Sequence, residues 1–463
     1  MGRHRWGTAI VVVLVIAAAF VAGYGITRAV HRVSASAPPP RPSVPAVLPA
    51  LTAAPPAPAA SSSTTTAATP AGVRRAIGAP AKAPGLGGRL LARVIDARTG
   101  KVLFDSQGST PAAPASTGKL LTAAALLAVY EPGDRFTTKI VSTGDGTVYL
   151  VGGGDPTLAA AAPGKPTTYV GAARISDLVA QLRRAHVTVH RIVVDGSLFT
   201  GPSIAPSWDA TDMGTSYASP ITALMSDAAV IAPPGYARST KPDLDAGAAL
   251  AKLLGEPKLP VTQGNAPAAA KVVASVRSAP VSELIDEMLQ TSDNVIADVL
   301  ARQVAIAGHK PASFTGAVTA IRTVLGRLGV HVGAGMKDGS GLSSADRVSP
   351  AALVGVLRLI SGADASAPKG AAQLHLIASM LPVAGWSGTL QLRYTEGRQR
   401  FAAGRVRAKT GTLSTVSSLA GIVRDRSGAL LAFSFDADRA IGTFGAEAAL
   451  DVLATRLSRC GCS

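Results

Sequence analysis

Three short segments carry residues whose types and spacing suit acyl transfer. Ser116 and Lys119 stand three positions apart in Ser116-Thr117-Gly118-Lys119, at the head of an apolar run. On a helical turn, residues i and i+3 share a face. A helix N-terminus would also place Ser116 among backbone N–H groups that no carbonyl has claimed. A serine hydroxyl becomes a nucleophile when a neighbour takes its proton. Lys119 can do so only where burial and nearby positive charge depress its pKa. S-x-x-K arises by chance about once in a chain of this size. Ser366-Ala367-Pro368-Lys369 repeats it, but Pro368 excludes an interior helical turn there. The second segment is Ser292-Asp293-Asn294, between two expected helices, in a chain whose only asparagines are Asn265 and Asn294. Ser292 and Asp293 would equally suit a helix cap. The third is Lys409-Thr410-Gly411 on an expected strand, where glycine lets another chain approach closely. Singly, each has an ordinary structural explanation; in this order they are far more specific.

Other chemistries find no support. The sequence lacks H-E-x-x-H, a glycine-rich loop ending in G-K-[S/T], G-x-G-x-x-G and a G-x-S-x-G elbow. His186 and His190 would share one face of a strand, but no carboxylate accompanies them, so they are expected on the surface. No metal and no cofactor is expected. Cys460 and Cys462 flank Gly461, a spacing that strains ordinary disulfide geometry. Outside the cytoplasm the pair could oxidise, no histidine nearby favours a metal, and the role stays open, with pairing between chains one possibility.

The elements that must position these residues can be read from periodicity. Leu90–Ile95 and Lys101–Asp105 alternate around Arg98-Thr99-Gly100 and predict a hairpin. Leu120–Val129 is apolar all round and predicts a helix buried on every side. Short strands are expected at Lys139–Thr143, Val148–Val151 and Arg191–Val194, with helices near Arg174–Arg184 and Ala246–Leu254. Helices resume at Val281–Leu289 and Val295–Ala307. Arg405–Lys409, Val416–Val423 and Ala429–Asp436 suggest an antiparallel meander before a closing helix, Thr443–Leu457. Strands at both ends with helices between predict an α+β fold whose sheet pairs the two ends of the folded region.

The chain has 463 residues, 45 Lys+Arg against 28 Asp+Glu and a net charge of +17. Residues 1–95 hold ten of the bases and no acid, so the rest carries a surplus of only seven. The basicity therefore belongs to the N-terminal fifth, and a nucleic-acid partner is not expected, since no aromatics interleave with the bases. Ala9–Ile26 is an uncharged apolar run of 18 residues preceded by Arg3, His4 and Arg5. It predicts a single-pass anchor with the remainder exported; a cleaved signal peptide ending at Ala35-Ser36-Ala37 is the competing reading. Pro38 to Pro84 contains 12 of the 32 prolines and predicts a disordered tether through the cell envelope. A length of 463 residues at 47% hydrophobic suits about two domains with sizeable cores.

The ordered set S-x-x-K, S-D-N, K-T-G resembles that of penicillin-binding proteins and serine β-lactamases. From about Leu90 to Leu457 the chain resembles the low-molecular-mass penicillin-binding proteins of D-alanyl-D-alanine carboxypeptidase/endopeptidase type, the class C serine DD-peptidases. Gly154-Asp155-Pro156-Thr157-Leu158, Asp338-Gly339-Ser340-Gly341-Leu342-Ser343 and Ala408-Lys409-Thr410-Gly411-Thr412-Leu413 carry the likeness. So do Leu381-Pro382-Val383-Ala384-Gly385 and Gly388-Thr389-Leu390. The resemblance implies a penicillin-binding/β-lactamase-like transpeptidase fold, an antiparallel sheet flanked by helices, with a smaller inserted domain. The expected division is an anchor or signal at 1–32, a linker at 33–85, a catalytic domain at 86–135 and 276–463, and the insertion at 136–275.

It further implies Ser116 as the acylated nucleophile and Lys119 as its base. Ser292 and Lys409 would relay a proton to the leaving amine and help keep Lys119 neutral. Asn294, Thr410, Gly411 and Thr412 would bind substrate, with an oxyanion between the N–H groups of Ser116 and Thr412. Asp155 would meet the amine of the third stem-peptide residue, and Ser344 stands where relatives often carry arginine. The implied partners are peptidoglycan stem peptides and, as covalent inhibitors, β-lactams. The alternatives are a serine β-lactamase, for which no E-x-x-x-N-like deacylating element follows the S-D-N segment, or a catalytically silent wall-binding scaffold.

Overall fold

The computed structural model describes residues 67–231, 236–362 and 368–462. The expected anchor, most of the expected tether and Ser366 lie outside them. The first half of the described chain runs α1 (Pro70–Ile77), β1 (Leu91–Asp96), β2 (Val102–Ser106), α2 (Lys119–Leu127), β3 (Thr137–Ser142), β4 (Thr147–Val151), α3 (Ile175–Arg184) and β5 (Arg191–Asp195). It continues with α4 (Pro242–Leu254), β6 (Val261–Gln263), β7 (Lys271–Arg277), α5 (Val281–Thr291), α6 (Asn294–Ala307), α7 (Phe314–Arg327) and α8 (Pro350–Ile360). Strands β8 (Val406–Leu413), β9 (Val416–Arg424) and β10 (Leu430–Ala437) precede a last helix, α9 (Thr443–Arg459).

One sheet has the order β2-β1-β10-β9-β8 and is antiparallel throughout. Its centre joins the first strand to the last, with Val94 opposite Phe433, as the pattern of strands at both ends predicts. Nearly every residue of β9 and β10 is buried. That burial follows from helices on both faces: α8 covers β1, β9 and β10 from one side, and α9 packs on β9 from the other. A sheet covered twice needs apolar or small residues at successive positions, not alternating ones. Val416–Val423 and Leu430–Phe435 supply them.

Helix α2 lies inside the molecule against α5, α6, α7 and α8, and all nine of its residues are buried. Its run Thr122-Ala123-Ala124-Ala125 keeps that approach close. A second sheet, order β6-β5-β4-β3-β7, is mixed: β3 pairs antiparallel with β4 and β7, while β4–β5 and β5–β6 are parallel. Helices α3 and α4 cover it, closing a separate apolar cluster around Ile140, Leu150, Leu178, Val194 and Leu250. The described residues all belong to one compact unit. Among them no helix is long and apolar enough to cross a membrane.

The structure corrects the expected tether at its C-terminal end. Residues 70–86 fold as α1 and two short 3₁₀ turns. Thr69 caps α1 by accepting from Gly72 N at 3.0 Å, Pro70 fits the first helical position, and Val73 and Ile77 are fully buried. They join the cluster that includes Leu450, Leu453 and Leu457 of α9. Proline density alone suggested a tether, but Val73 and Ile77, four apart, are enough to dock one helical face. Cys460 and Cys462, whose role the sequence leaves open, form a disulfide with each other, their α-carbons 4.9 Å apart, inside the bridging range. The carbonyl of Cys462 accepts from Thr69 N at 2.6 Å, so the end of α9 and the start of α1 are held together. Ile77→Ala should lower unfolding free energy by about 2–5 kcal/mol in urea melts; unchanged stability would show that α1 is not part of the core.

Candidate active site

The turn that carries Ser116 is shaped by what can approach it. Ala115–Gly118 is a 3₁₀ turn leading into α2, and Ala115 has φ 47°, in the left-handed region. For a residue with a β-carbon this costs roughly 1–2 kcal/mol. Neighbours hold it there. Thr117 Oγ1 and Ser418 Oγ both donate to the Pro114 carbonyl, at 2.6 and 2.8 Å. Gly341 and Gly411 pack directly on the turn: a β-carbon at Gly411 would lie 2.9 Å from Pro114 O and 3.0 Å from Ala115 Cβ. A β-carbon at Gly341 would run into the Ala115 carbonyl. The 3₁₀ turn, not the α-helix itself, therefore presents Ser116, and the i, i+3 spacing still brings Lys119 Nζ to 2.9 Å from Ser116 Oγ.

Lys119 has no solvent exposure. Its ammonium nitrogen also donates to Asn294 Oδ1 at 2.6 Å and to the Ser340 carbonyl at 2.8 Å. The segment Asp338–Ser343 that offers this carbonyl is wound around Asp338. That carboxylate accepts from the backbone N–H groups of Ser340, Gly341 and Ser343 and from Trp208 Nε1.

Ser292-Asp293-Asn294 forms the break between α5 and α6, and serves as a cap as well. Ser292 ends α5 with φ 61°, and Asp293 caps α6 by accepting from Ile296 N at 3.0 Å. The other Asp293 oxygen takes Arg238 Nη2 at 2.6 Å, a pair almost wholly removed from solvent. Arg238 also donates to Ala228 O and to the Ser216 carbonyl, and Asn294 Nδ2 donates to the Tyr217 carbonyl at 3.0 Å. One guanidinium thus clamps the loop around Tyr217 to the segment that holds Ser292 and Asn294.

Strand β8 brings the third group. Lys409, fully buried, donates to Ser292 Oγ and to the Thr410 carbonyl, both at 2.9 Å. Thr410 Oγ1 donates to Thr389 Oγ1 at 2.8 Å, and Thr412 Oγ1 to Glu447 Oε1 of α9 at 3.1 Å.

Burial is the first cause of both lysine shifts. It brings Lys119 down to about 8, against the opposing pull of Asp298, Asp338, Asp293 and Asp346. It puts Lys409 well below the ordinary lysine value, helped by the charges of Lys119 and then Arg393. Carboxylates surround Lys119, whereas cations surround Lys409. Burial also drives Asp298 up to about 8, which weakens it as a counter-charge at neutral pH.

Ser116, Ser292, Asn294, Thr410 and Thr412 all line one cleft of about 1290 Å³, with Lys119 and Lys409 beneath it. Gly411 acts from behind, by admitting the Ser116 turn. Asp155 is not brought to the cleft. It is 2% exposed, and its Oδ1 accepts from Thr157 N and Thr157 Oγ1 at 2.8 and 2.7 Å, an Asx turn that folds the carboxyl back onto its own chain. Burial raises it to about 6. Ser344 lines the cleft, and Arg347, three positions on, donates to its carbonyl at 2.8 Å. Sequence reasoning missed Arg238, Arg393 and Glu447 as cleft residues; Arg238 and Glu447 lie far along the chain from the segments they support, and Arg393 follows Gly388-Thr389-Leu390 without a charge pattern that marks it.

Comparison with known proteins agrees with this geometry. Residues 73–237 and 232–459 match the D-Ala-D-Ala carboxypeptidase 3 (S13) family. The chain belongs to this family. A carboxypeptidase of Mycobacterium tuberculosis is 42% identical over 442 residues, covering 94% of this chain and 92% of its own. Carboxypeptidase DacB of Mycolicibacterium smegmatis is 39% identical, covering 98% and 96%. The crystal structure of penicillin binding protein 4 from Haemophilus influenzae shares the fold, with TM-score 0.66 at 24% identity, over 83% of this chain and 98% of that one. The protein is a serine D-Ala-D-Ala carboxypeptidase, a peptide hydrolase of α+β fold.

Two outcomes test how this carboxypeptidase holds its site. Lys119 accepts a proton only when neutral, so kcat/KM for D-Ala release should rise about tenfold per pH unit below 8 and level off above it. A flat profile from pH 6 to 9 would remove Lys119 as the base. Arg238→Ala leaves Asp293 buried without its partner. It should cut kcat/KM at least tenfold, with Arg238→Lys recovering part; full activity in Arg238→Ala would show that the clamp is dispensable.

Proposed function

We propose that the enzyme cleaves peptidoglycan stem peptides through an ester on Ser116. The observation that carries this reading is Lys119 Nζ, without solvent, 2.9 Å from Ser116 Oγ and 2.6 Å from Asn294 Oδ1. Lys119 takes the hydroxyl proton as Oγ attacks the carbonyl of the penultimate D-Ala. The carbonyl oxygen becomes an oxyanion facing the N–H groups of Ser116 and Thr412, the electrostatic contribution that usually dominates acyl transfer. Collapse breaks the peptide bond, and the departing D-Ala amine receives a proton by way of Ser292 and Lys409, which are joined at 2.9 Å. Asn294 holds the substrate backbone and Thr410 its terminal carboxylate. Water then attacks the ester carbonyl, the C–Oγ bond breaks, the proton lost by that water passes to Ser116 Oγ, and the shortened peptide is released.

The same chemistry extends to the D-Ala-to-diamino-acid cross-link, an endopeptidase cut, and to β-lactams, which acylate Ser116 and leave slowly. The β-lactam complex solved for penicillin binding protein 4 of Haemophilus influenzae supports the latter. In this reading residues 86–135 and 276–463 form the peptidase domain and 136–275 an insertion. Ala9–Ile26 anchors the chain with its catalytic part outside the cytoplasm, where the substrate is. The apolar run behind Arg3, His4 and Arg5 supports that placement.

Incubation of the protein with labelled penicillin and with a D-Ala-D-Ala peptide, beside Ser116→Ala, tests the proposal. The expected result is a stable adduct on Ser116 and released D-Ala, both lost in the variant. Rapid penicillin turnover would instead make it a β-lactamase, and absence of any adduct would overturn the acyl-enzyme.

A further inference from the structure

Arg393 lies in the turn after Thr389 and lines the cleft together with Thr389, Thr410 and Thr412. Its Nε and Nη2 donate to the two oxygens of Asp451 at 3.0 and 2.6 Å, and Nη2 also to the Glu447 carbonyl at 3.3 Å. A bidentate pair of this kind fixes the plane of the guanidinium. It uses two of the three nitrogens. Nη1 takes no part in these bonds and is not among the fully buried polar atoms left without a partner. The side chain is 15% exposed and that of Asp451 8%. The guanidinium is also near enough to Lys409 to depress that lysine.

Two carboxylates face this cation. Asp451 offsets part of its charge, and Glu447 accepts the Thr412 hydroxyl. Both side chains issue from α9, and the bonded Thr389–Thr410 hydroxyl pair lines the same cleft as Arg393. A fixed guanidinium that lines the same cleft as two threonine hydroxyls is suited to a carboxylate that enters that cleft.

We propose that Arg393, through Nη1, binds the free carboxylate on the α-carbon next to the leaving amine, and so selects substrates that carry one. This assignment rests on the peptidase reading above and gives that reading an anchoring cation that Thr410 alone lacks. A terminal D-Ala presents such a carboxylate, and so does the D-centre of a diamino acid in a cross-link. The arginine therefore selects the chemistry of the leaving residue without choosing between the two cuts.

The test compares an N-acetylated peptide ending in D-Ala-D-Ala with the same peptide as its C-terminal carboxamide. The wild-type enzyme should prefer the acid. Arg393→Gln should lose about 10- to 100-fold more in kcat/KM on the acid than on the carboxamide, mostly through KM, as expected for one charge-assisted contact. Arg393→Lys should fall between. Equal losses on both substrates would make Arg393 a structural tie between its turn and α9, and no loss on either would also overturn the proposal. The wild-type preference needs no variant to fold: equal rates on acid and carboxamide would overturn the anchor by themselves. Absence of D-Ala release from either peptide would overturn the peptidase reading, and with it this assignment.

Discussion

Two lysine ammonium groups without solvent, beneath one cleft, are the constraint around which the structure is built. Moving Lys119 from 10.5 to about 8 corresponds to about 3 kcal/mol against its charged form. Between those values the unfolded chain binds a proton that the folded one does not. Burial of Lys119 therefore costs stability below pH 10.5, and that cost is complete below about 8. The fold limits the penalty by giving each ammonium its acceptors: Ser116, Asn294 and the Ser340 carbonyl for Lys119, Ser292 and the Thr410 carbonyl for Lys409. Chemistry and stability here draw on the same hydrogen bonds.

Those acceptors come from four separate parts of the chain, so each approach must be close. Gly341 and Gly411 admit the Ser116 turn because a β-carbon at either would collide with it. Small residues along α2 let α6 come near enough for Asn294 to reach Lys119. Ala115 and Ser292 adopt left-handed backbone on either side of the site, a strain that the surrounding contacts hold in place. Arg238 adds a fixed distance between the loop at Tyr217 and the break that bears Asn294.

Helix α9 gives the chain end a part in the cleft. It sends Glu447 to Thr412 and Asp451 to Arg393, while Cys462, just past its end, receives Thr69 from the start of α1. The segment before β1 and the last residues of the described chain thus brace the helix that forms one wall of the site.

Local pattern was enough for the hairpin, the buried helix, the closing meander and its helix, because each depends on neighbours in sequence. The triple of Ser116/Lys119, Ser292/Asn294 and Lys409/Thr410 was legible too, since motif spacing survives without knowledge of contacts. Strand β6, three residues long, and the largely exposed β7 gave no period to read. Helix α1 was hidden by its prolines. Asp155 had a motif's position but not its exposure, because the Asx turn with Thr157 is a property of the folded loop. The sequence by itself determined which groups can do the chemistry. Only the tertiary structure decided which charges surround each lysine, that Arg238 and Arg393 line the cleft, and that Asp155 is buried in its own turn. Burial and electrostatics depend on distances in space, and no spacing along the chain encodes them.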